Sequence, residues 1–446
     1  MKQQHILVLG AGRSSSALIS YLLSEGRDRG WTLTVGDGDE ELARRRIGQA
    51  PNGCSMHIRM SDEQALRTAI TNADLVISLL PAAMHPAIAA HCLAVGKHLL
   101  TASYVSPDMR ALDKEVRAKG LLFLNECGLD PGLDHMSAMS IIHRLQRGGY
   151  TVYSFESFTG GLIDPVTDPD NPWKYRFTWN PRNVVVAGQG TATYRANGLN
   201  KYIPYHQLFQ RTVPIEIPSV GRFEGYANRN SLQYKELYGL PDIDTMMRGT
   251  LRFQGFCAAW NVLVQLGCTD DTYEIQPVNG LTHAGFLEQF VVAGPASLEQ
   301  RVAHTVGVSP AGPEMEKLRW AGFFQQEPIG IKQGTPAQIT ERILSKCWTL
   351  QSAHRDLVVM WHRFAARRGN ERLEVVSSFS ATGDVHETAM AKTVGLPLAL
   401  AAKLLLTGAL PLRGVVVPVQ PCIYEPLLQE LQAYGILFSE HEQVIS

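Results

Sequence analysis

The sequence predicts an α/β fold, with a doubly wound parallel sheet followed by a mixed-sheet α+β domain that carries an inserted helical subdomain. In the first third of the chain, short apolar runs alternate with segments of the length of one helix. Buried parallel strands have continuous apolar sequences and need crossover helices between them. The hydrophobic period changes near Pro241 and again near Asp356, which indicates a helical insertion in a second sheet.

Six strands are predicted for the parallel sheet. They are the runs "HILVLG", "WTLTVGD", "SMHIRM", "DLVISLLP", "KHLLTAS" and "LLFLNE".

A glycine-rich turn, "GAGRSSS", follows the first of these strands and opens a helix. Gly10 permits a tight turn, and Gly12 lets the backbone approach a pyrophosphate at the helix N-terminus, beside Arg13 and Ser14. Ser15 stands where the usual fingerprint has a third glycine. In this strand and helix context the turn predicts a dinucleotide-binding Rossmann domain rather than an ordinary connection.

Asp37, at the end of the second strand, is the candidate for the carboxylate that binds the ribose hydroxyls and repels a 2'-phosphate. It favours NAD. NADP stays open, because Asp39 could merely cap the next helix while Arg44, Arg45 and Arg46 reach a phosphate. A solvated basic helix face is the commoner explanation of such a run.

The expected domain organisation has four parts. Residues 1–129 form the dinucleotide-binding domain, and 130–235 with 352–390 form the mixed-sheet substrate domain. Residues 236–351 form the helical subdomain, which includes the stretch from Asp242 to Gly267. Residues 391–446 form a C-terminal helical segment that folds back on the nucleotide domain.

Composition limits the possible partners. The chain has 41 basic and 42 acidic side chains, so no strong field recruits nucleic acid or an anionic membrane. The seven cysteines form no metal-binding framework, and no apolar stretch approaches the roughly 20 residues of a membrane span. We therefore expect a cytoplasmic protein with a small-molecule partner, no metal and, by base rate, a homodimeric assembly.

Loops after the fourth and fifth strands lie at the carboxyl edge of the sheet, where ligands of such folds collect. Leu80 and Pro81 are expected to line the nicotinamide side of the cofactor. Ser103 and Tyr104 could donate hydroxyl groups to a substrate, although Tyr104 could equally be a half-buried aromatic whose hydroxyl reaches solvent. His85 is interpreted as incidental, since the histidines of this region do not share a helical face at metal-ligand spacing.

The stretch "NECGLDPGLDH", from Asn125 to His135, follows the sixth strand. Asp130 could act on a ligand at the same edge, or it could cap the following helix with Pro131 in the first turn. Asp134 is expected in that first turn, where an acid complements the helix dipole.

Several long motifs carry a resemblance. They include "TASYVSPDM", "NECGLDPGLDH", "DNPWKYRFTWNPRNVV", "GRFEGYANRNSLQYKELYGL" and "ETAMAKTVGLPLALAAKLLLTG". From the cofactor turn to the C-terminus, the chain resembles the saccharopine dehydrogenase family, specifically the glutamate-forming saccharopine reductases. The resemblance implies a reversible NAD(P)-linked interconversion of saccharopine with glutamate and aminoadipate semialdehyde.

The resemblance also implies roles for site residues. Tyr104 and Asp130 match substrate-site positions that orient the substrate amine or assist proton movement, and we take them as the catalytic candidates. Saccharopine carries three carboxylates, so a cationic clamp is expected, and Arg229 with Asn228 beside it is the candidate. A plain salt bridge is the alternative for Arg229.

One position departs from the family pattern. Thr159 precedes Gly160 in "FTGGL", where such relatives usually have a cysteine. Both residues are candidates for substrate contact, but a threonine hydroxyl does not titrate near neutrality.

Other functions on the same scaffold stay open. They are a carboxynorspermidine or homospermidine type synthase, a lysine 6-dehydrogenase, and a noncatalytic nucleotide sensor.

Overall fold

The computed structural model describes residues 4–445, and the chain forms two compact units. The first unit runs to residue 149 and includes residues 386–438. The second unit comprises residues 150–385 and the chain from 439 onward.

The first six strands belong to the first unit. They are β1 (Gln4–Leu9), β2 (Trp31–Asp37), β3 (Gly53–His57), β4 (Leu75–Ser78), β5 (His98–Thr101) and β6 (Leu122–Leu124). The helices between and after them are α1 (Ser16–Arg29), α2 (Glu40–Ile47), α3 (Glu63–Asn72), α4 (His85–Val95), α5 (Pro107–Ala111), α6 (Asp113–Ala118) and α7 (Leu133–Arg147). All six strands predicted from the sequence are confirmed.

The second unit contains most of the remaining elements. Its strands up to residue 385 are β7 (Thr151–Ile163), β8 (Ala192–Ala196), β9 (Leu199–Ile203), β10 (Val213–Ile217), β11 (Gly221–Ala227), β12 (Thr245–Phe253), β13 (Asp356–Arg368) and β14 (Glu371–Thr382). Its helices are α8 (Pro181–Val185), α9 (Tyr205–Leu208), α10 (Tyr234–Leu237), α11 (Phe256–Leu266), α12 (His283–Glu288), α13 (Leu298–Val306), α14 (Pro313–Trp320) and α15 (Pro336–Trp348).

The C-terminal part adds two helices and two strands. They are α16 (Ala389–Leu406), β15 (Gly414–Val416), α17 (Pro421–Leu431) and β16 (Ser439–Ile445). β15 pairs with β6 in the first sheet, and β16 pairs with β14 in the second. The C-terminal segment predicted as helical therefore also contains two short strands, each of which completes the edge of a sheet.

The first sheet has the strand order β15-β6-β5-β4-β1-β2-β3, and each pairing is parallel. The order reverses between β1 and β4. In such sheets ligands bind beyond the carboxyl ends of the strands at this reversal. The loops after β1, β2, β4, β5 and β6 all leave from that edge.

The second sheet is mixed, with the path β10-β11-β12-β7-β13-β14-β16. β12 is parallel to β7 and antiparallel to β11. The helical prediction for residues 242–267 was wrong over this strand. A Cβ at Gly249 would lie 2.3 Å from the Phe158 ring, so the glycine lets this central strand pack under an aromatic side chain. Its continuous apolar run leads directly into α11, and periodicity does not separate the two.

Helix α16 is the core helix of the first unit. Its 18 residues have a mean hydropathy of 1.5, so the helix is long and apolar enough to cross a membrane. The prediction that no apolar stretch of the sequence approaches the length of a membrane span was therefore wrong. Two thirds of the helix is buried inside the protein. A Cβ at Gly395 would lie 2.8 Å from the Leu18 backbone nitrogen, so this glycine permits close packing on α1. Lys403 binds Glu430 at 2.6 Å.

Candidate active site

The glycine turn after β1 has the shape that a pyrophosphate requires. Gly10 has a φ of 102°, and a Cβ there would lie 3.1 Å from the Leu79 carbonyl carbon. At Gly12 a Cβ would meet no described atom within 4 Å, and the residue is exposed, so the backbone is open to close approach by a ligand. Ser15 is buried and donates its hydroxyl to the Gly12 carbonyl at 2.8 Å. The serine therefore closes the turn in place of the third glycine.

Arg13 and Ser14 occupy the middle of this turn, one exposed and the other half-buried, directly before α1 begins. The turn therefore fits a dinucleotide phosphate group at the positive end of that helix.

Asp37 lies at the end of β2, beside the glycine turn. Its Oδ2 accepts a hydrogen bond from the Ala11 backbone N–H at 2.7 Å. Asp39 caps α2 by accepting from two backbone N–H groups of its first turn, as the alternative for that residue proposed. Arg46 donates to the carbonyls of Ala11 and Gly12 at 3.3 Å. The carboxylate and the guanidinium both contact the turn that would hold the cofactor.

Tyr104 and Asp130 meet at the carboxyl edge of the same sheet. They follow β5 and β6, which are neighbours, and the Tyr104 hydroxyl donates to Asp130 Oδ1 at 2.9 Å. Asp130 does not cap α7, which begins at Leu133 after Gly132, so the capping alternative was wrong. A phenol bonded to a carboxylate can pass a proton along the bond, which is the chemistry expected of an acid–base pair.

His85, which the sequence analysis interpreted as incidental, contacts two hydroxyl side chains at the same edge of the sheet. Its Nε2 lies 2.8 Å from Ser103 Oγ and 3.1 Å from Thr101 Oγ1. Only 4% of the residue is exposed, and burial lowers the pKa of His85 to about 4, so the imidazole is neutral near pH 7. The signal was missed because the contact joins loops after β4 and β5, where Leu80 and Pro81 also lie.

The second unit carries the other candidates from the sequence. Thr159 lies on β7 and is 6% exposed, and its hydroxyl has no hydrogen-bond partner within residues 4–445. A Cβ at Gly160 would lie 2.8 Å from the Leu251 carbonyl oxygen, so this glycine permits β7 and β12 to approach closely.

Asn228 and Arg229 follow β11. Arg229 is exposed and has a φ of 51°, while its carbonyl accepts from the Thr193 N–H at 2.8 Å. The Asn228 N–H donates to the Arg248 carbonyl at 2.9 Å. A left-handed conformation at a non-glycine residue costs of order 1 kcal/mol or more, and such residues cluster at functional sites. The role of Arg229 as a substrate clamp stays a prediction, and its backbone conformation is consistent with it.

Sequence reasoning missed Arg252, on β12. The residue is 5% exposed, and its guanidinium lies 5.0 to 5.9 Å from the ring centres of Tyr175, Phe256 and Tyr226. It donates to the Leu251 carbonyl, but within residues 4–445 its Nε has no partner and no carboxylate lies within ion-pair distance. Glu224 is its cross-strand neighbour on β11 but does not form an ion pair with it. A buried cation is costly, and an anionic ligand in direct contact would offset part of that cost. The missed strand assignment hid this residue.

Comparisons with known proteins show which family the chain belongs to. The saccharopine dehydrogenase NADP binding domain matches residues 6–124, and the saccharopine dehydrogenase C-terminal domain matches residues 128–436. The chain belongs to the saccharopine dehydrogenase family. The family resemblance inferred from the sequence motifs is confirmed.

Family members with curated names match over nearly all of this chain. "Alpha-aminoadipic semialdehyde synthase, mitochondrial" of Bos taurus is 34% identical over 99% of this chain, which spans only 48% of that relative. "Saccharopine dehydrogenase [NADP(+), L-glutamate-forming]" of Pyricularia oryzae is 31% identical, with 98% of each chain covered. The chain therefore spans about half the length of the first type of relative and nearly all of the second.

A solved structure of the family has the same fold. The apo saccharopine dehydrogenase (L-Glu forming) of Saccharomyces cerevisiae is 28% identical, with a TM-score of 0.88 over 99% of this chain and 100% of that one. The α/β fold with a Rossmann-type sheet and a second mixed sheet is thereby confirmed.

The buried His85 predicts a defined pH dependence of stability. Its pKa is about 4 in the folded chain and 6.5 ordinarily, so between these values the unfolded chain binds a proton that the folded chain does not. The free energy of unfolding should therefore fall by up to about 3 kcal/mol as pH drops from 6.5 to 4, with no His85 contribution to the slope above that window.

Denaturant titrations of the wild type and His85→Gln at several pH values measure this. Glutamine keeps a polar nitrogen near the position of Nε2 but does not titrate, so its curve should lack this part of the slope. Equal pH dependence in both proteins would contradict the assignment.

Proposed function

We propose that the chain catalyses the NAD(P)-linked interconversion of saccharopine with L-glutamate and aminoadipate semialdehyde. The observation that carries the proposal is the Tyr104–Asp130 hydrogen bond of 2.9 Å at the ligand-binding edge of the sheet. Family membership over nearly the whole chain supports the assignment of saccharopine as the substrate. The names of the fungal relatives state an L-glutamate-forming saccharopine dehydrogenase.

The test is turnover. Purified protein is mixed with saccharopine and either NAD or NADP, while absorbance of the reduced cofactor and release of glutamate are measured. Glutamate formed in step with reduced cofactor supports the proposal. A folded, nucleotide-binding protein that turns over a diamine but not saccharopine would favour a polyamine-type synthase, and no turnover at all would favour the sensor suggested by Thr159.

The acid–base work falls to Tyr104 and Asp130. The substrate's secondary amine must be neutral before its carbon loses a hydride, and the bound nicotinamide would supply the hydride acceptor. A phenol hydrogen-bonded to a carboxylate can accept or return one proton at its Oη while Asp130 Oδ1 takes the bonded proton. The same pair can serve the later water addition, since that step also needs a proton moved.

We assign the binding of the substrate's carboxylates to two arginines of the second unit. Arg252 offers a buried guanidinium without a carboxylate partner among the described residues, and Arg229 offers an exposed one on a strained backbone. A guanidinium binds carboxylates through two parallel N–H groups, which sets orientation as well as charge. Asn228 is proposed as a neutral donor beside Arg229.

We propose NAD as the preferred cofactor, although the fungal relatives are named for NADP(+). The support is the position of Asp37 at the end of β2, where its charge would repel a 2'-phosphate. Two of the three nearby arginines already have partners: Arg44 pairs with Glu41 at 2.9 Å, and Arg46 donates to the glycine turn.

Asp37 predicts cofactor selectivity. The ratio of kcat/KM for NAD to that for NADP should be about tenfold or more, and Asp37→Asn should lower it by about tenfold, equivalent to roughly 1.4 kcal/mol. Asparagine keeps an oxygen that can accept from the Ala11 N–H but removes the charge. Asp39→Asn, which retains a capping side chain, is the matched control. Preference for NADP in the wild type would contradict the proposal.

Arg229 predicts a change in saccharopine affinity. Replacing it by alanine should raise the KM for saccharopine by about tenfold or more, because a clamp on a carboxylate is lost. Arg222→Ala removes an exposed arginine near the start of β11, the strand that Arg229 follows, and this control should leave KM unchanged. An unchanged KM in Arg229→Ala would remove this residue from the site.

A further inference from the structure

Glu126 and His135 form a buried pair beneath the loops that carry Tyr104 and Asp130. Their exposed fractions are 4% and 0%, and Glu126 Oε2 lies 2.8 Å from His135 Nε2. An ionised carboxylate can only accept a hydrogen bond, so Nε2 carries the proton and donates it.

Glu126 holds the chain on both sides of Tyr104. Its Oε1 accepts from the Val105 backbone N–H at 2.9 Å, and its own N–H donates to the Ser103 carbonyl at 3.1 Å. These two bonds fix the residues directly before and after the tyrosine. The placement of the Tyr104 ring therefore depends on where Glu126 sits.

His135 belongs to the segment that carries Asp130. Its backbone N–H donates to the Gly132 carbonyl at 3.0 Å, and Asp134 Oδ1 accepts from the Gly132 N–H at 2.6 Å. The loop is closed by a bond from the Gly128 N–H to the Pro131 carbonyl at 3.0 Å. Contact with His135 thus connects Glu126 to the start of α7 and to the Asp130 loop.

The backbone conformation of Glu126 indicates that its side chain has a role beyond stability. Its φ is 54°, a left-handed conformation that glycine adopts without strain and other residues adopt at a cost of order 1–3 kcal/mol. A buried carboxylate also loses its hydration, which costs free energy that its hydrogen bonds only partly offset. Stability alone does not explain a glutamate at this position.

We propose that Glu126 and His135 are positioning residues that set the contact between the Tyr104 hydroxyl and the Asp130 carboxylate. Neither acts on the substrate itself; they join the two loops from below. The catalytic part of this inference rests on the proposed function, because the contact matters for turnover only if Tyr104 and Asp130 move protons.

The kinetic test compares variants of His135. His135→Ala removes the donor to Glu126 and should lower kcat for saccharopine about tenfold or more, while KM and the Kd of the cofactor change by less than about twofold. His135→Gln keeps an N–H near the position of Nε2 and should restore most of kcat. His283→Ala, a buried histidine of the second unit that bonds the Gly322 carbonyl, is the control and should lower Tm without changing kcat.

A second comparison asks whether the pair acts through Tyr104. In a Tyr104→Phe background, adding Glu126→Gln should cost no further activity, because the group being positioned is already gone. Independent, multiplicative losses would overturn the proposal, and so would full activity in His135→Ala.

A crystal structure of His135→Ala keeps the geometric inference separate from the proposed function. The Tyr104–Asp130 distance should exceed hydrogen-bonding range in that variant. An unchanged distance would overturn the positioning role even if the wild type never turned over saccharopine. If the wild type does not turn over saccharopine but the Tyr104–Asp130 distance is longer in His135→Ala, the proposed function is refuted and the positioning role is supported.

Discussion

The site of this protein depends on a constraint of parallel sheets: all the strands of the first sheet end at one edge. β1, β2, β4, β5 and β6 each deliver a loop there, so residues far apart in the sequence become neighbours. Tyr104 and Asp130 meet because β5 and β6 are adjacent. His85 reaches Ser103 because β4 and β5 are adjacent. The order of the strands therefore determines which residues of the chain can meet at this edge.

The two units solve different problems. The first holds groups whose geometry suits binding of a dinucleotide and transfer of a proton. The second contains Arg252, a buried guanidinium that lies near three aromatic rings and has Glu224 as its cross-strand neighbour on β11, beyond ion-pair distance. Such a group is costly to bury, and this cost is the reason for proposing that Arg252 binds a carboxylate of the substrate.

The sequence predicted the parallel sheet well, because its signals are local. Each strand is a short apolar run, and the glycine turn carries its own conformational requirement at Gly10. The prediction failed where long-range packing decides. β12 has no period that separates it from the helix it enters, and its strand form depends on Gly249 lying beneath Phe158. β15 and β16 are short edge strands defined only by their partners.

The same difference between local signals and long-range contacts decides which site residues the sequence could identify. Asp130 was found from its motif, but only its position in the fold shows that it bonds Tyr104 and does not cap α7. His85 was dismissed because sequence spacing gives no hint that it lies beside Ser103. Arg252 was overlooked because the strand that carries it was missed. In each case the decisive partner is distant in sequence and close in space.

The central claim is that Tyr104 and Asp130 act as one proton-transferring unit. A double-mutant cycle of Tyr104→Phe and Asp130→Asn, measured as kcat/KM for saccharopine, tests it most directly. The account predicts that each single change lowers the rate constant by about a hundredfold or more and that the double variant is little worse than either single one. Losses that simply multiply, or a single variant with full activity, would contradict it.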